Sequence, residues 1–247
     1  MTSPDYREVL GIIGGTGAQG KGLAARWARA GHEVWIGSRS KERGEESAAE
    51  IRERAGSEAV VHGGTNADAA EAAEIVVVSV PFDAQQDLLP PLRDIVGDKV
   101  TLNVVNPMTF DDRGPVAVPV EAGSAAEENQ ELWPDARLVS AFHDVSSRRL
   151  WRVDEPIVTH VLICGDDEEA AHRVAHLASR IEGMWGVYCG PLRNSEYIEN
   201  ITPVLLSINR LYKIQAGILI DGIERDEQAL HAHKAAGSAR AGRKSED

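Results

Sequence analysis

The 247-residue sequence predicts an α/β protein with a doubly wound parallel sheet. Three observations lead to this prediction: apolar runs alternate with helical patterns, the connecting segments are short, and a glycine-rich turn joins the first run to the first helix. Strands that alternate with helices favour parallel pairing, with helices on both faces of the sheet. The 43% of hydrophobic residues is sufficient for a sizeable core.

The elements follow in chain order from apolar spacing and from the residues that end each run. We expect strands at residues 9–14, 33–36, 60–61, 74–80, 99–105, 137–142, 157–164 and 185–189. We expect helices at residues 21–30, 41–55, 66–73, 83–96, 122–132, 167–181 and 196–217. Asn66 or Asp68 is expected near the cap of the third helix, Pro90-Pro91 should break the fourth, and the last should be interrupted near Pro203. Residues 111–120 contain spaced proline and glycine and are expected to form a loop.

This pattern divides the chain into three parts. Residues 1–140 are expected to form a Rossmann-type nucleotide-binding domain, and residues 141–225 a smaller C-terminal α/β part. Residues 226–247 are rich in Ala, His, Lys, Arg and Ser, a composition that predicts a disordered tail. The apolar stretch at 198–220 is expected to serve mainly as core, with packing in a homodimer as the alternative.

The composition excludes several classes of partner. A net charge of −13 repels nucleic acids and anionic membranes, so we expect neither to bind. No run reaches the ~18 apolar residues of a membrane span, and residues 1–8 do not resemble a signal peptide, which predicts a cytoplasmic protein. Cys164 and Cys189 are too far apart for a CxxC motif and are expected as reduced core thiols, and no spacing predicts a metal site.

The glycine-rich turn at residues 15–20 reads Gly-Thr-Gly-Ala-Gln-Gly and matches the pattern G-x-G-x-x-G between a predicted strand and a predicted helix. In that context the first glycine permits a tight turn, the second lets the backbone approach a pyrophosphate, and the third allows close helix packing. The helix N-terminus adds partial positive charge. The sequence therefore predicts a dinucleotide held by Gly15, Thr16, Gly17, Ala18, Gln19 and Gly20.

The end of the second predicted strand selects the dinucleotide. Enzymes that use NAD place an acid there for the ribose 2′-hydroxyl, whereas this chain has Gly37, Ser38 and Arg39. A hydroxyl and a guanidinium suit the 2′-phosphate of NADP, because arginine binds phosphate in a fork. Arg43 follows one helical turn later on the same face. The sequence predicts NADP(H).

Other strand ends supply the remaining candidates, since ligands of such sheets lie beyond the carboxyl ends of the strands. Pro81 and Phe82 are expected to wall the nicotinamide, Gln86 lies one turn further on, and His143 ends an apolar run. No catalytic triad, Cys/His arrangement or YxxxK pattern is present. Hydride exchange between two organic cofactors explains this absence, because their rings provide the electronics and the protein provides orientation.

Several motifs in order resemble one family, the NADPH-dependent F420 reductases or F420H2:NADP oxidoreductases. The resemblance runs from Val9 to Gly222 and is carried by 14–23, Gly31-His32-Glu33, Gly37-Ser38-Arg39, Ser140-Ala141-Phe142-His143, Cys164-Gly165-Asp166-Asp167, 190–195 and Asn200-Ile201-Thr202-Pro203. It implies reversible hydride transfer between nicotinamide C4 and C5 of the deazaflavin F420. It also implies that F420 lies in a cleft between the Rossmann domain and the C-terminal part.

The resemblance also implies roles for individual residues. It implies that NADP contacts Thr16–Gln19, Ser38, Arg39 and Arg43, and that nicotinamide and ribose contact Pro81, Phe82, Met108 and Ser147. It places His143 and Val145 beside the deazaflavin, and Asn194 and Ser195 in the matching C-terminal loop. We assign His143 to the catalytic site as a residue that orients or polarises the deazaflavin carbonyl side, not as an obligatory acid or base.

F420 carries a phosphodiester and an oligoglutamate tail, so an acidic chain needs a local cationic patch to bind it. Arg148, Arg149 and Arg152 are the best candidates, with Arg193 as an addition. Two other functions stay open: an NADP-dependent imine or keto-acid reductase, and a non-enzymatic NADP-binding redox sensor. The cytosolic domain of STEAP-type membrane reductases also resembles this fold, but those proteins need transmembrane helices.

Overall fold

The centre of the fold is a sheet of eight strands, in a computed structural model that describes residues 7–223. In these residues the strands are β1 (Val9–Ile13), β2 (Glu33–Ser38), β3 (Val61–Thr65), β4 (Ile75–Val78), β5 (Val100–Asn103), β6 (Met108–Asp111), β7 (Gly114–Ala117), β8 (Arg137–Ala141), β9 (Thr159–Gly165) and β10 (Met184–Tyr188). The predicted tail at 226–247 lies outside the described residues.

The sheet has the order β10-β9-β8-β5-β4-β1-β2-β3, and the six strands from β3 to β8 are parallel. This is the strand order of a Rossmann fold, with the order reversing between β1 and β4. The predicted α/β class is therefore confirmed. β9 runs antiparallel to β8, and β10 is parallel to β9, so the C-terminal part extends the same sheet.

Helices cover both faces of this sheet. They are α1 (Ala18–Arg29), α2 (Lys41–Ala55), α3 (Asn66–Ala72), α4 (Gln85–Leu88), α5 (Arg93–Val96), α6 (Ala125–Leu132), α7 (Ser147–Leu150), α8 (Glu168–Ser179), α9 (Ser195–Glu199) and α10 (Ile201–Tyr212). None of the helices in the described part of the chain is long and apolar enough to cross a bilayer.

The central strands are apolar on both sides because both sheet faces are covered. All residues of β4 and β9 are buried. Neighbouring side chains of β1 point to opposite faces, so Ile12 belongs to one apolar cluster and Ile13 to another. Helix starts follow capping chemistry: the Ser40 hydroxyl caps α2, and Thr65 and Asp68 close a reciprocal capping box at α3.

Two local expectations are wrong. Residues 111–120 are not simply a loop, because β6 and β7 pair as a hairpin whose turn is fixed by Asp111 Oδ1, an acceptor for the backbone of Arg113 and Gly114. The helix expected to reach residue 217 ends at Tyr212, where Lys213 adopts a left-handed conformation with φ of 55°. The helix expected at 83–96 is divided into short α- and 3₁₀-helices, with the break at Pro90 where it was predicted.

The short helix α7 was not predicted, and it packs against α1. A Cβ on Gly22 of α1 would lie 2.6 Å from the Cβ of Leu150, so only glycine permits this approach. The Arg26 side chain of α1 is buried and donates to the carbonyl oxygens of Arg149 and Leu150, both at 2.9 Å, and to that of Arg152. The first helix after the glycine loop therefore holds α7 in place.

Candidate functional site

The glycine loop forms a tight turn at the carboxyl end of β1. The Gly15 amide donates to the carbonyl oxygens of Ile12 and Gly37 at 3.2 and 3.0 Å. A Cβ on Gly20 would lie 2.9 Å from the Cα of Gly15, which explains the third glycine. α1 begins at Ala18 without a side-chain cap or an acid in its first turn, so its amides can face an anionic ligand.

A first cavity of about 700 Å³ opens beside this loop, where the strand order reverses. Its lining combines the end of β1 with the ends of β2, β4 and β5. Eight of the residues predicted from the sequence line this cavity. They are Thr16, Gly17, Ala18, Gln19, Ser38, Arg39, Arg43 and, from the end of β4, Pro81. Gly15 and Gly20 shape the same turn but do not line the cavity.

The end of the cavity near β2 is cationic. Arg39 and Arg43 both line it, as the sequence predicts. Among the described residues, no carboxylate lies within salt-bridge distance of either guanidinium. Ser38 is 5% exposed, and its hydroxyl accepts a hydrogen bond from the Ser40 amide at 3.4 Å. Two unneutralised guanidiniums and a hydroxyl suit a phosphate better than a ribose diol.

Asn66 is a residue that the sequence did not assign to the site. Its Oδ1 accepts a hydrogen bond from the Gly14 amide at 3.1 Å, and its buried side chain lines the first cavity. The sequence indicated only a helix-cap role near this position, but Thr65 is the cap. The contact with Gly14 fixes the start of the glycine turn from a neighbouring helix.

A second cavity of about 440 Å³ adjoins the first, and the two share Gln19 and Asn106 on their walls. The second cavity lies between α7 and α10. Four residues expected around the reacting rings line it, although they are far apart in the sequence: Met108, His143, Val145 and Ser147.

Besides Gly15 and Gly20, four predicted site residues line neither cavity. Phe82 is half-buried and packs against the apolar core, and Gln86 is exposed. The Asn194 amide donates to the carbonyl of Cys189 at 2.8 Å, and Ser195 is fully buried. The positions of Phe82 and Gln86 were predicted for a regular helix, whereas residues Phe82–Ala84 form a 3₁₀ turn. Ligand contacts of these four residues stay predictions.

His143 is 4% exposed and lines the second cavity, beside Asn106 of the wall that the two cavities share. Its Nδ1 is 3.2 Å from Asn106 Oδ1, and its Nε2 is 2.8 Å from Ser140 Oγ. Because an amide oxygen only accepts, Nδ1 carries the proton and Nε2 accepts from the serine hydroxyl. Burial lowers the pKa of His143 to about 3, so the ring is neutral. With both nitrogens engaged, this geometry favours an orienting role over proton transfer.

The residue before His143 has an unusual backbone. Phe142 is fully buried with φ of 66°, in the left-handed region that bulky side chains rarely adopt. Gln19 Nε2 donates to its carbonyl oxygen at 3.1 Å, and Trp27 contacts its ring edge-to-face at 5.6 Å between centroids. The glycine loop and α1 thus stabilise the turn that directs His143 towards the cavity.

Asp144 lies next in the chain and also lines the second cavity. It is 4% exposed, and its Oδ2 has no hydrogen-bond partner among the described residues. Burial raises the pKa of Asp144 to about 7, although backbone amides of Asp144 and Leu162 oppose the change. This carboxyl group therefore changes charge near neutral pH, a property that the sequence did not reveal.

The fold and the paired cavities define a Rossmann-type oxidoreductase with two adjoining ligand sites. The family model described as NADP oxidoreductase, coenzyme F420-dependent, matches residues 9–107. An F420-dependent NADP reductase of Methanothermobacter thermautotrophicus is 38% identical over 224 residues, which are 88% of this chain and 97% of that protein. The chain belongs to the family of F420-dependent NADP reductases.

One further relative supports the family assignment, and one solved structure supports the fold. An F420-dependent NADP reductase of Methanocaldococcus jannaschii is 36% identical over 87% of this chain and 99% of that protein. A crystal structure titled as a putative F420-dependent NADP-reductase from Arthrobacter superposes with a TM-score of 0.72 and covers 86% of this chain and 99% of that one. Its identity is 22%, so it supports the fold alone.

Proposed function

We infer that this chain transfers a hydride reversibly between NADP(H) and the deazaflavin coenzyme F420. The observation that carries this function is the meeting of two cavities at Gln19 and Asn106, in a chain of this family. Two substrates bound in adjoining cavities bring their rings into contact without a further catalytic domain. Such a reaction depends on orientation and exclusion of water more than on a strong acid or base.

The proposal places NADP(H) in the first cavity. The pyrophosphate lies over the amides of Gly17 and Ala18, and the 2′-phosphate lies between Ser38, Arg39 and Arg43. The nicotinamide then points past Pro81 towards the shared wall, where C4 faces the second cavity. In this arrangement residues 1–140 hold the dinucleotide.

F420 occupies the second cavity in this proposal, with residues 141–225 completing the cleft. Its ring lies against His143 and Val145, with Met108 and Ser147 towards the nicotinamide. His143, kept neutral by burial and positioned by Asn106 and Ser140, orients the ring and takes no proton. When both substrates are bound, hydride passes between nicotinamide C4 and deazaflavin C5.

The direct test mixes the purified chain with NADPH and F420 and follows the deazaflavin absorbance band. Loss of the band with no other substrate is the expected result. Turnover of imines or keto acids without F420 activity would instead indicate a reductase of those substrates. Binding of NADPH and F420 without any turnover would indicate a sensor and contradict the proposal.

An Arg39→Ala variant is expected to raise KM for NADPH about 10- to 100-fold, since hydrogen bonds to charged groups contribute ~1.5–3 kcal/mol. KM for F420 should not change, and the preference for NADPH over NADH should fall. Steady-state kinetics with each substrate varied in turn measures this. Lys41→Ala is the matched control, because it removes the same charge from an exposed position that does not line the first cavity.

The proposal also includes a homodimer formed through α10. The sequence from 203 to 220 has no acidic residue, and only Thr202 and Pro203 of α10 are buried. Leu211 and Tyr212 are 76% and 71% exposed, so this stretch is not the internal core that was expected. Two copies of an acidic chain approach best through an apolar face without carboxylates.

Light scattering during size exclusion should give twice the chain mass, and Leu211→Lys should shift the chain towards monomer. Val60→Lys, at an exposed position beside β3, serves as the control and should leave the mass unchanged. A monomeric wild-type chain would contradict this part of the proposal. A cytoplasmic location and the lack of nucleic-acid partners stay predictions from composition.

A further inference from the structure

Two arginines from different parts of the chain lie at the rim of the second cavity. Arg148 belongs to α7, and Arg210 belongs to the last turn of α10. Both are exposed, and neither has a carboxylate within salt-bridge distance among residues 7–223. Within the same residues, Arg210 Nη1 donates a long, weak hydrogen bond of 3.5 Å to the carbonyl oxygen of Arg113.

The other arginines of the predicted patch lie outside the second cavity. Arg149, Arg152 and Arg193 do not line it. Arg152 also pairs with Glu155 at 3.6 Å. The expected cluster in the sequence is therefore reduced to one member, and Arg210 replaces the others.

The position of both arginines is fixed by contacts around the cavity. Arg26 holds the carbonyl oxygens at the end of α7, and Ser146 donates from its hydroxyl to Gln215 Oε1 at 2.5 Å, which connects the start of α7 to the segment after α10. Because these contacts tie the backbone on both sides of the second cavity, the two arginines are presented at its lining before any anion binds.

The electrostatic setting favours an anion at this opening. The chain has 39 acidic and 26 basic residues, so its average electrostatic potential is negative. Two guanidiniums without carboxylate partners make the potential locally positive at this opening. Guanidinium groups bind phosphate and carboxylate in a planar, two-pronged geometry. The apolar residues Val145, Leu205 and Leu206 line the cavity beside them, so a flat ring fits inside while an anionic chain leaves at the rim.

We propose that Arg148 and Arg210 form an anion clamp for the phosphodiester and glutamate carboxylates of the deazaflavin side chain. This inference rests on the proposed function, and it names the part of the substrate that these residues recognise. The clamp lies at the opening and not at the reacting carbon. It contributes equally to ground-state and transition-state binding, so it affects KM and leaves kcat unchanged.

The test uses Arg148→Ala, Arg210→Ala and the double variant with two ligands. One ligand is F420, and the other is the same deazaflavin ring on its ribityl chain, without phosphate or glutamate. Dissociation constants from deazaflavin fluorescence are measured without NADP, and KM and kcat are measured with NADPH. Arg152→Ala is the matched control, since it removes an equal charge nearby from an arginine that pairs with Glu155.

Each single variant should weaken F420 binding and raise its KM about tenfold, and the double variant should do so by about 50- to 100-fold. The tail-less ligand should bind all variants equally, and kcat should be preserved. The affinity of wild type for F420 should fall with added salt more steeply than that of the double variant. Arg148→Lys and Arg210→Lys should recover part of the affinity.

Equal weakening of both ligands, or unchanged F420 binding in the double variant, would overturn the clamp. The outcome is separable from that of the proposed function. If wild type binds F420 through these arginines without oxidising NADPH, the clamp stands and the hydride-transfer function fails. If wild type reduces F420 and the double variant binds it normally, the function stands and the clamp fails.

Discussion

An Arg26→Met variant is expected to lose about 2 kcal/mol of unfolding free energy, because a buried carbonyl left without a donor costs ~1–3 kcal/mol. The native side chain is 5% exposed and donates to the carbonyl oxygens of Arg149 and Leu150, both at 2.9 Å, and to that of Arg152. Methionine fills a similar volume but donates nothing. The Arg149 and Arg152 carbonyls keep backbone donors, the amides of Arg152 and Glu155, so the loss comes from the Leu150 carbonyl.

Urea unfolding at constant pH measures this loss. Arg29→Met on the same helix is the control, because Arg29 pairs with an Asp154 side chain that is 79% exposed and such surface pairs contribute about 0–1 kcal/mol. The variant should also raise KM for F420 more than KM for NADPH, since α7 lines the second cavity. A loss of less than about 1 kcal/mol would show that another donor replaces Arg26 at the Leu150 carbonyl.

An Asp144→Asn variant is expected to abolish a large pH dependence of stability. Burial raises the pKa of Asp144 from 3.8 to about 7, so the folded chain keeps a proton that the unfolded chain releases. Stability is therefore greatest below about pH 4 for this group and is lost as pH rises to about 7. The difference corresponds to about 4 kcal/mol, and asparagine removes it.

Unfolding free energies of both proteins across this pH range test the prediction. The titratable groups around Asp144 are His143, which stays neutral, the Cys189 thiol with its raised pKa, and Arg148 and Arg210 in the same cavity. Burial also raises the pKa of Glu199 to about 8, with the same sign, but that group is present in both proteins and cancels in the difference. Parallel pH profiles would refute the assignment.

The same carboxyl group faces an anionic substrate in the proposed function. Above neutral pH its negative charge should weaken F420 binding, and Asp144→Asn should bind F420 with less dependence on pH. This result would show that one carboxyl group governs both the stability and the F420 affinity. An equal pH dependence of F420 binding in both proteins would show that Asp144 does not affect the affinity.

The sequence predicted the first cavity well because its chemistry is local. The glycine loop, Ser38 and Arg39 lie within two consecutive strand–helix turns, so the motif and its context are read from adjacent residues. Asn66, Asp144 and Arg210 were missed, because they join the site only through the packing of separate elements. The hairpin β6–β7 was missed because its proline and glycine are also typical of loops.

The second cavity was predicted in part: the strand-end position indicated His143, and the resemblance added the other residues. Met108, His143, Val145 and Ser147 converge as expected, whereas Asn194 and Ser195 pack into the interior. An apolar run followed by histidine gives no sign that Phe142 turns left-handed, or that both ring nitrogens are engaged. Those features depend on Gln19 and Asn106, which lie far from His143 in sequence.

The contact between Gly22 and Leu150 has a consequence for how the two substrates approach each other. A four-residue helix has no stability of its own, so α7 keeps its shape only while it packs on α1. We therefore expect an opening of α1 to open α7 as well, and with it one side of the second cavity. Amide exchange in α7 should be no slower than in α1. In the proposed function, the packing of these two helices then sets the spacing of the two rings before either ring binds.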